Sequence, residues 1–516
     1  MTRSYELETG VRWMNPDGGR WRVIFVCNGQ SPCPTLFAEE GDVLEIAVRS
    51  DIYAQSSIHL SGFGHPKTSP WNDGTAGLSQ FPTLPRSNWT TTYDTTGNWG
   101  LNWYIDHTSS ASVDGLYGLV YVAPSPSRPR PYHLITNDTL ELRQIKEAER
   151  AIQHAAIQNH QHRDTVWKLL RMKAEGSEYY CYDSILVNGK GRVHCRQPGF
   201  EQLNGGQRYI MMNLMNNGFE HSVKVSIDSH KMIVVANNGG FVVPEQTDVV
   251  YIPSAARITV LVKLDAEPGD YAVRISSTSQ LQNLQGYSIL RYPAKRLPRY
   301  GEPMMLPTPA SPKDVCLLAD ASTKPHCKTI NGQFIAPYPS KPPPTSDQKY
   351  PERADFTFRL SAGSQPSLTE PKVPEFYLNE KPWQLFHGSM TPLLFHRLES
   401  NESLDKPIIS QLPVGSVVDV IIENQINDTI PLYKHGEPAW LLGSSSGQSF
   451  PEESVEDAVS SPGSPHTSLN LHNPALLGMT VPILEGITAE NPIEIPKEAL
   501  DRPHVEFEPK NDGIFG

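Results

Sequence analysis

The segment that decides the fold of this chain lies between residues 58 and 118. It reads IHLSG at 58–62, WNDG at 71–74, NWYIDH at 102–107 and DGLYG at 114–118. The Asn-Asp-Gly and Asp-Gly steps are typical turn residues, because glycine accepts a positive φ. The other two phrases each contain one histidine, His59 or His107. These two histidines are therefore the first candidate site residues.

The composition of the whole chain favours an all-β protein. A length of 516 residues suggests roughly three domains. The 46 prolines, 37 glycines and low charged fraction of 19% favour many short strands joined by turns. The net charge of −12 argues against a nucleic-acid-binding surface. No run of 18 apolar residues is present, so we expect no membrane span.

The four phrases resemble the first cupredoxin domain of the multicopper oxidases, the family of laccases and fungal ferroxidases. The family motifs are I-H-W-H-G, W-x-D-G, Y-W-Y-H-S-H and D-G-L-x-G, at the spacing found here. Further matching phrases extend the resemblance over nearly the whole chain, at 26–32, 40–42, 184–191, 223–230, 376–379 and 412–421. The resemblance implies three consecutive cupredoxin-like Greek-key β-barrels, the third one truncated, with a helical insert between the first two.

Composition shifts divide the chain into five predicted segments. They are cupredoxin domain one at 1–125, a Pro-rich spacer with the helical insert at 126–176, domain two at 177–294, a Pro-rich linker at 295–353 and an incomplete domain three at 354–516. The insert is predicted to be one helix of about 35 residues, from Asp138 to about Lys173, because it lacks internal Pro and Gly.

Four histidines outside the first domain need an interpretation. His154, His160 and His162 lie in the predicted helix. They could be metal ligands, but we favour a polar helix face exposed to solvent. His230 is the last residue of the segment 223–230, which resembles a strand of the family's second domain. That domain holds no copper in the family, so His230 is interpreted as a structural histidine at the end of a strand.

The six cysteines form three close pairs along the sequence, Cys27/Cys33, Cys181/Cys195 and Cys316/Cys327. Disulfides within these pairs would fit an oxidising compartment. The alternative is free thiols in β-rich loops. No pair has Cys-x-x-Cys spacing, which argues against zinc and thioredoxin-type chemistry at these cysteines.

The resemblance implies copper, yet most ligand positions differ. The family holds a blue copper with two His and one Cys thiolate, and a trinuclear cluster with four His-x-His pairs. Three histidines match ligand positions: His59, His107 and His435. The aligned positions that should also be histidine contain other residues, Ser61, Ile105, Ile430 and Tyr433, and no cysteine follows Cys327. We expect at most a partial copper site.

The three matching histidines have three interpretations. They could be remnants that are hydrogen-bonded in the core. They could converge on one zinc or copper ion with an open coordination position. They could also form part of a metal-free acid–base site, in which His59 and His107 act with Asp106 and Tyr433.

The sequence therefore predicts a laccase-like protein of fungal phenolic metabolism, either aromatic secondary metabolism or pigment biosynthesis. It would bind a small aromatic or phenolic molecule without the full four-copper machinery. One alternative is an active laccase-like oxidase that couples phenols with O2, and another is a non-catalytic scaffold. The N-terminus has no apolar signal segment, so we expect an intracellular protein. Four sequons, at Asn88, Asn137, Asn401 and Asn427, leave secretion as the alternative.

Overall fold

The structure, a computed structural model, describes most of the N-terminal two thirds of the chain and shorter segments beyond it. The described residues are 1–63, 70–108, 110–175, 181–192, 208–218, 221–267, 269–279, 282–292, 315–331, 335–340, 354–366, 374–378, 392, 394, 409–413, 415–425, 443–444, 448–449 and 483–485. In these residues strands dominate, so the all-β prediction is confirmed.

The first unit is a sandwich of two four-stranded sheets. Its strands are β1 (Thr2–Met14), β2 (Arg22–Cys27), β3 (Cys33–Glu39), β4 (Val43–Ser50), β5 (Ile58–Ser61), β6 (Asn88–Asp94), β7 (Gly100–Asp106) and β8 (Tyr117–Ala123). The sheet orders are β2-β1-β4-β6 and β3-β8-β7-β5. Short 3-10 turns lie at Pro70–Asn72 and Ser110–Ser112.

Strand β4 shows how the sequence builds this core. Its apolar residues Leu44, Ile46 and Val48 alternate with more exposed positions and are buried between the two sheets. A period of two places all three side chains on one face of the sheet. Because β5 and β7 lie next to each other, the candidate histidines of the first unit are brought to neighbouring strands.

The connection to the second unit begins with a 3-10 turn at Pro131–Leu134 and helix α1 (Thr139–Arg150). Asp138 caps α1, because its carboxylate accepts hydrogen bonds from the backbone N–H groups of Leu140 and Glu141. Strand β9 (Gln153–His160) and helix α2 (Thr165–Glu175) follow.

The predicted single helix from Asp138 to about Lys173 is wrong, because its middle is strand β9. This strand pairs with β10 on one side and β12 on the other, inside the sheet of the second unit. Its last five residues are buried, although three of them are the polar Gln158, Asn159 and His160. Tertiary pairing has overridden the local preference for helix.

The second unit contains a seven-stranded and a five-stranded sheet. Besides β9, its strands are β10 (Ser184–Val187), β11 (Lys190–Gly191), β12 (Tyr209–Asn216), β13 (Val223–Ile227), β14 (Met232–Asn237), β15 (Gly240–Thr247), β16 (Val249–Ile252), β17 (Arg257–Lys263), β18 (Gly269–Ser277), β19 (Gln285–Tyr292) and β20 (Thr329–Asn331). The orders are β11-β10-β9-β12-β17-β14-β15 and β19-β18-β13-β16-β20.

The C-terminal part contributes seven described strands. They are β21 (Phe356–Pro366), β22 (Pro374–Leu378), β23 (Ile409–Leu412), β24 (Val418–Asn424), β25 (Gly443–Ser444), β26 (Gln448–Ser449) and β27 (Ile483–Glu485). Leu360, Ala362, Leu378 and Leu412 form a small buried cluster there. The extent of this third domain, and the other predicted domain boundaries, stay predictions.

One pairing pattern recurs in all three parts of the chain. The first strand of each part pairs antiparallel with the next strand and parallel with a later one. This holds for β1 with β2 and β4, for β9 with β10 and β12, and for β21 with β22 and β24. Strand β9 therefore occupies in the second unit the place that β1 occupies in the first.

Of the two possibilities left open for the cysteine pairs, a disulfide is present in two pairs, Cys27–Cys33 and Cys316–Cys327. Cys181 is exposed, whereas Cys195 lies outside the described residues, so the third pair stays a prediction. Within the described segments, neither helix has the length and apolar character needed to cross a membrane.

Candidate functional site

His59 lies on β5 in the interior of the first unit, with 3% of its surface exposed. Its Nδ1 is 2.7 Å from the backbone oxygen of Asp73. Because a carbonyl oxygen only accepts hydrogen bonds, Nδ1 carries the proton in this contact. In a neutral His59 the lone pair is therefore on Nε2, the nitrogen that a metal or a proton would use.

The turn that holds His59 is the WNDG phrase. The Asp73 backbone oxygen also accepts a 2.8 Å hydrogen bond from the Tyr93 hydroxyl, and the Asp73 carboxylate accepts from the N–H and hydroxyl of Thr75. A Cβ on Gly74, whose φ is +86°, would lie 2.0 Å from the Ile58 oxygen. Only glycine allows this approach, so the turn fixes the imidazole orientation.

His107 directly follows β7, and its backbone N–H donates a 2.7 Å hydrogen bond to the Ser57 oxygen. Its ring centre lies 5.3 Å from that of His59, with the ring planes at 69°. The structure therefore brings two of the three predicted site histidines together in the buried interior. The third, His435, lies outside the described residues, as do Ile430 and Tyr433.

The family motifs have a second histidine beside each of these two. In this chain Ser61 and Ile105 occupy those positions, and both side chains are buried at 2% exposure. Ile105 is the register partner of His59 between β5 and β7. The hydrocarbon side chain of isoleucine offers no metal ligand, and a neutral serine hydroxyl is a poor ligand for copper. At these four positions, all within the described residues, the first unit thus presents two imidazoles instead of the four that its share of a trinuclear copper cluster requires. These residues do not fit that cluster.

Within the described ranges, no third His, Cys, Asp or Glu joins His59 and His107 in a group that could hold a metal ion. The nearby Asp106 is fully buried, but its carboxylate accepts hydrogen bonds from the Ser57 backbone N–H and the Thr108 hydroxyl, each at 2.8 Å. Asp106 therefore holds the loops around the site. The three-histidine metal site and the acid–base site both stay predictions.

A second cluster lies between the first and second units. The sequence analysis considered its two histidines as metal ligands but favoured a solvent-exposed face, and it did not consider Asp17. It consists of Asp17, His160 and His162, whose possible ligand atoms all lie within 4.8 Å of one another. His162 Nε2 is 2.8 Å from Asp17 Oδ2, and Ser184 donates a 2.7 Å hydrogen bond to the same oxygen. Burial opposes ionisation of Asp17, but these hydrogen bonds keep its pKa below the usual value.

The predicted solvent-facing helix carrying His154, His160 and His162 is therefore wrong for these side chains. His160 is 2% exposed on β9, and burial lowers its pKa to about 3. His154 lies at the start of the same strand, and burial lowers its pKa to about 4. The i, i+2 spacing of His160 and His162 was the available signal, because such residues share one face of an extended chain.

His230 behaves as the sequence predicted. It follows β13 and is buried, with Nδ1 2.8 Å from the Asp228 oxygen and Nε2 2.6 Å from the Tyr292 hydroxyl. Burial lowers its pKa. Both nitrogens serve the local structure, so this histidine is a structural residue.

The other family phrases also have structural functions. Asp114 of the DGLYG phrase forms a buried 2.9 Å ion pair with Arg22 and accepts from the Thr165 backbone N–H. Burial raises the pKa of Asp114, and the Arg22 guanidinium opposes that shift. A Cβ on Gly118 would lie 2.4 Å from the Tyr104 ring. These contacts give the residues of this motif a structural role that does not depend on copper ligands.

Comparison with known proteins gives a consistent result for the fold. Residues 9–127 and residues 157–295 each match a sequence profile described as multicopper oxidase. Together these matches span half of the 516 residues. They cover the first two units, with the second match beginning inside β9.

Curated relatives come from fungi. The chain is 28% identical to a laccase from Pestalotiopsis fici, over 98% of this chain and 95% of the relative. It is 25% identical to a multicopper oxidase from Cercospora beticola, over 92% of this chain and 81% of that protein. It is also 25% identical to a laccase from Aspergillus fumigatus, over 89% and 84%.

Solved structures share the fold at low sequence identity. Fet3p, a multicopper oxidase that functions in iron import, superposes with a TM-score of 0.72 at 18% identity, covering 97% of this chain and 94% of that one. The laccase from Botrytis aclada superposes with a TM-score of 0.66 at 20% identity, covering 89% and 79%.

Proposed function

Because this chain belongs to the multicopper oxidase family, we propose that it is a laccase-like protein of fungal phenolic metabolism that lacks the full four-copper machinery. Its ligand in this proposal is a small aromatic or phenolic molecule, as in aromatic secondary metabolism or pigment biosynthesis. The fungal laccases among its relatives support the assignment to this branch of the family.

The observation that supports the proposal is that two positions beside His59 and His107, where the family has copper-binding histidines, are occupied by other residues. Ser61 and Ile105 are buried on β5 and β7, where a second imidazole on each strand would be required. A four-electron reduction of O2 needs all copper centres of this family, so the loss of ligands in one unit is enough to prevent it. The sequence adds Ile430 and Tyr433 at two further ligand positions.

The chemistry left to the chain's own residues is limited. His59, held through Nδ1 by the Asp73 backbone oxygen, packs against the His107 ring in a buried, low-dielectric environment. Such a pair could accept a proton from a bound phenol, because a phenol is a weak acid whose proton an imidazole can take when the two are held in contact. This keeps the metal-free acid–base interpretation as the mechanism that accompanies the proposal.

The test is an oxidase and binding assay on the copper-supplied full chain. With simple phenols such as catechol, we expect no O2 consumption above a copper-only blank, together with saturable binding by calorimetry. A His59→Gln variant should alter the pH dependence of that binding, whereas the exposed His133→Gln variant should not. Rapid O2 consumption, with two catechol molecules oxidised for each O2 consumed, would overturn the proposal in favour of an active laccase-like oxidase. Absence of phenol binding would favour the non-catalytic scaffold.

A further inference from the structure

We propose that Asp17, His160 and His162 bind a divalent transition-metal ion of the zinc type between the first and second units. The proposal concerns a site outside the family's copper positions and does not depend on the proposed function. One carboxylate and two imidazoles form the kind of three-ligand set that proteins use to hold zinc with a fourth position open.

The geometry of the three donors is close to that of such a site. Zinc bonds of 2.0–2.2 Å in a tetrahedral arrangement place ligand atoms roughly 3.3 Å apart. The donor atoms of Asp17, His160 and His162 lie within 4.8 Å of one another, and the shortest pair, Asp17 to His162, is at 2.8 Å. Shifts smaller than about 1.5 Å would bring all three to bonding distance.

The residues around the cluster hold two of the ligands in place. Asp17 accepts hydrogen bonds from the Gly19 backbone N–H at 2.9 Å and from the Ser184 hydroxyl at 2.7 Å. His162 Nε2 faces Asp17, while its Nδ1 lies 3.5 Å from Asp183 Oδ1. A carboxylate beside the second nitrogen of a ligating histidine fixes the tautomer and strengthens the ligand. Asp183 is therefore a positioning residue in this proposal.

The cluster also has access to solvent on one side. The 17–19 turn and His162 line an open cleft of about 870 Å³, which Arg20, Gly191 and Arg192 complete. Asp17 and His160 are buried, whereas the side chain of His162 is 18% exposed. A metal ion could enter from the cleft and keep its open position towards it. The two arginines would favour an anionic ligand, such as a carboxylate or phenolate, at that position.

The experiment is a calorimetric titration of the chelator-treated full chain with ZnCl2. We expect about one Zn²⁺ per chain, a rise in Tm on zinc addition, and at least tenfold weaker binding in His162→Gln. Asp183→Asn should weaken binding about tenfold, because it removes only the positioning carboxylate. His133→Gln removes an exposed histidine elsewhere and should bind zinc as the wild type does.

Two results would overturn the proposal. One is a wild type that binds no zinc. The other is zinc binding of equal strength in the wild type and in His162→Gln, which would place the ion elsewhere. His162 is partly exposed, so this variant should fold, and an unchanged circular dichroism spectrum checks that it does. Asp183→Asn provides a second, independent variant if His162→Gln is unstable.

Discussion

His154, which is half-buried, and His221, which is buried, are imidazoles of the second unit whose environments disfavour their charged forms. His154 is hydrogen-bonded to Asn213 at 3.2 Å, and its ring lies 5.2 Å from the Tyr121 ring. His221 is hydrogen-bonded to Ser277 at 2.9 Å. Burial lowers the pKa of each to about 4, below the value of about 6.5 in the unfolded chain.

These shifts predict a loss of stability in mild acid. Between pH 6.5 and pH 4 these two histidines are protonated in the unfolded chain but not in the folded chain. The free energy of unfolding therefore decreases as the pH is lowered through this window, and these groups do not change it above pH 6.5. Each histidine should cost about 2 kcal/mol between pH 7 and pH 5. Urea unfolding at both values measures this. His154→Gln should reduce the difference, and an unchanged difference would contradict the assigned burial.

At the scale of elements, the hairpin of β10 and β11 joins the first two units. Its two-residue turn is Asn188-Gly189, and both residues have positive φ, as tight hairpin turns require. A Cβ on Gly189 would lie 2.3 Å from the Ser31 backbone oxygen of the first unit. The turn therefore fixes the approach of the second unit to the first.

Replacing Gly189 with alanine tests this contact. We expect Gly189→Ala to cost about 1–2 kcal/mol for the left-handed backbone and about 1–3 kcal/mol more for the collision with Ser31. Gly97 is the matched control, because its φ of +79° is close to the +75° of Gly189 and nothing lies within 4 Å of its Cβ position. Thermal unfolding compares the two variants. Equal losses would show that the Ser31 contact is unimportant.

Strand β9 shows what the sequence could and could not predict at this scale. The family motifs predicted the buried strands β5 and β7 correctly. The turns and glycines next to these strands depend on local sequence, so they can be recognised without knowledge of the tertiary structure. The stretch from Gln153 to His160 is polar and free of Pro and Gly, which favours helix locally. Its burial depends on partners such as Val113, whose oxygen accepts from Gln158, and these contacts come from another unit. The Asp17 cluster was missed for the same reason, since its ligands are brought together across that boundary.

At the scale of the whole molecule, one pairing pattern occurs three times, at β1, β9 and β21. In each case the strand pairs antiparallel with the next strand and parallel with a later one. This repetition explains why the fold could be predicted from phrases spread over the chain. The function does not follow from the fold in the same way, because copper chemistry depends on individual ligands. Serine at position 61 and isoleucine at position 105 remove copper ligands, yet both residues still fit into the sheets.

The most direct test of the proposed loss of the four-copper machinery is the copper content per chain. We would measure it by elemental mass spectrometry on protein expressed with copper supplied, together with the visible absorption of a copper–thiolate centre. The proposal predicts at most one copper per chain and no such absorption. If one copper is found, its loss in His162→Gln would place it at the Asp17 cluster, and its loss in His59→Gln at the first-unit pair. A value near four coppers per chain would contradict the proposal.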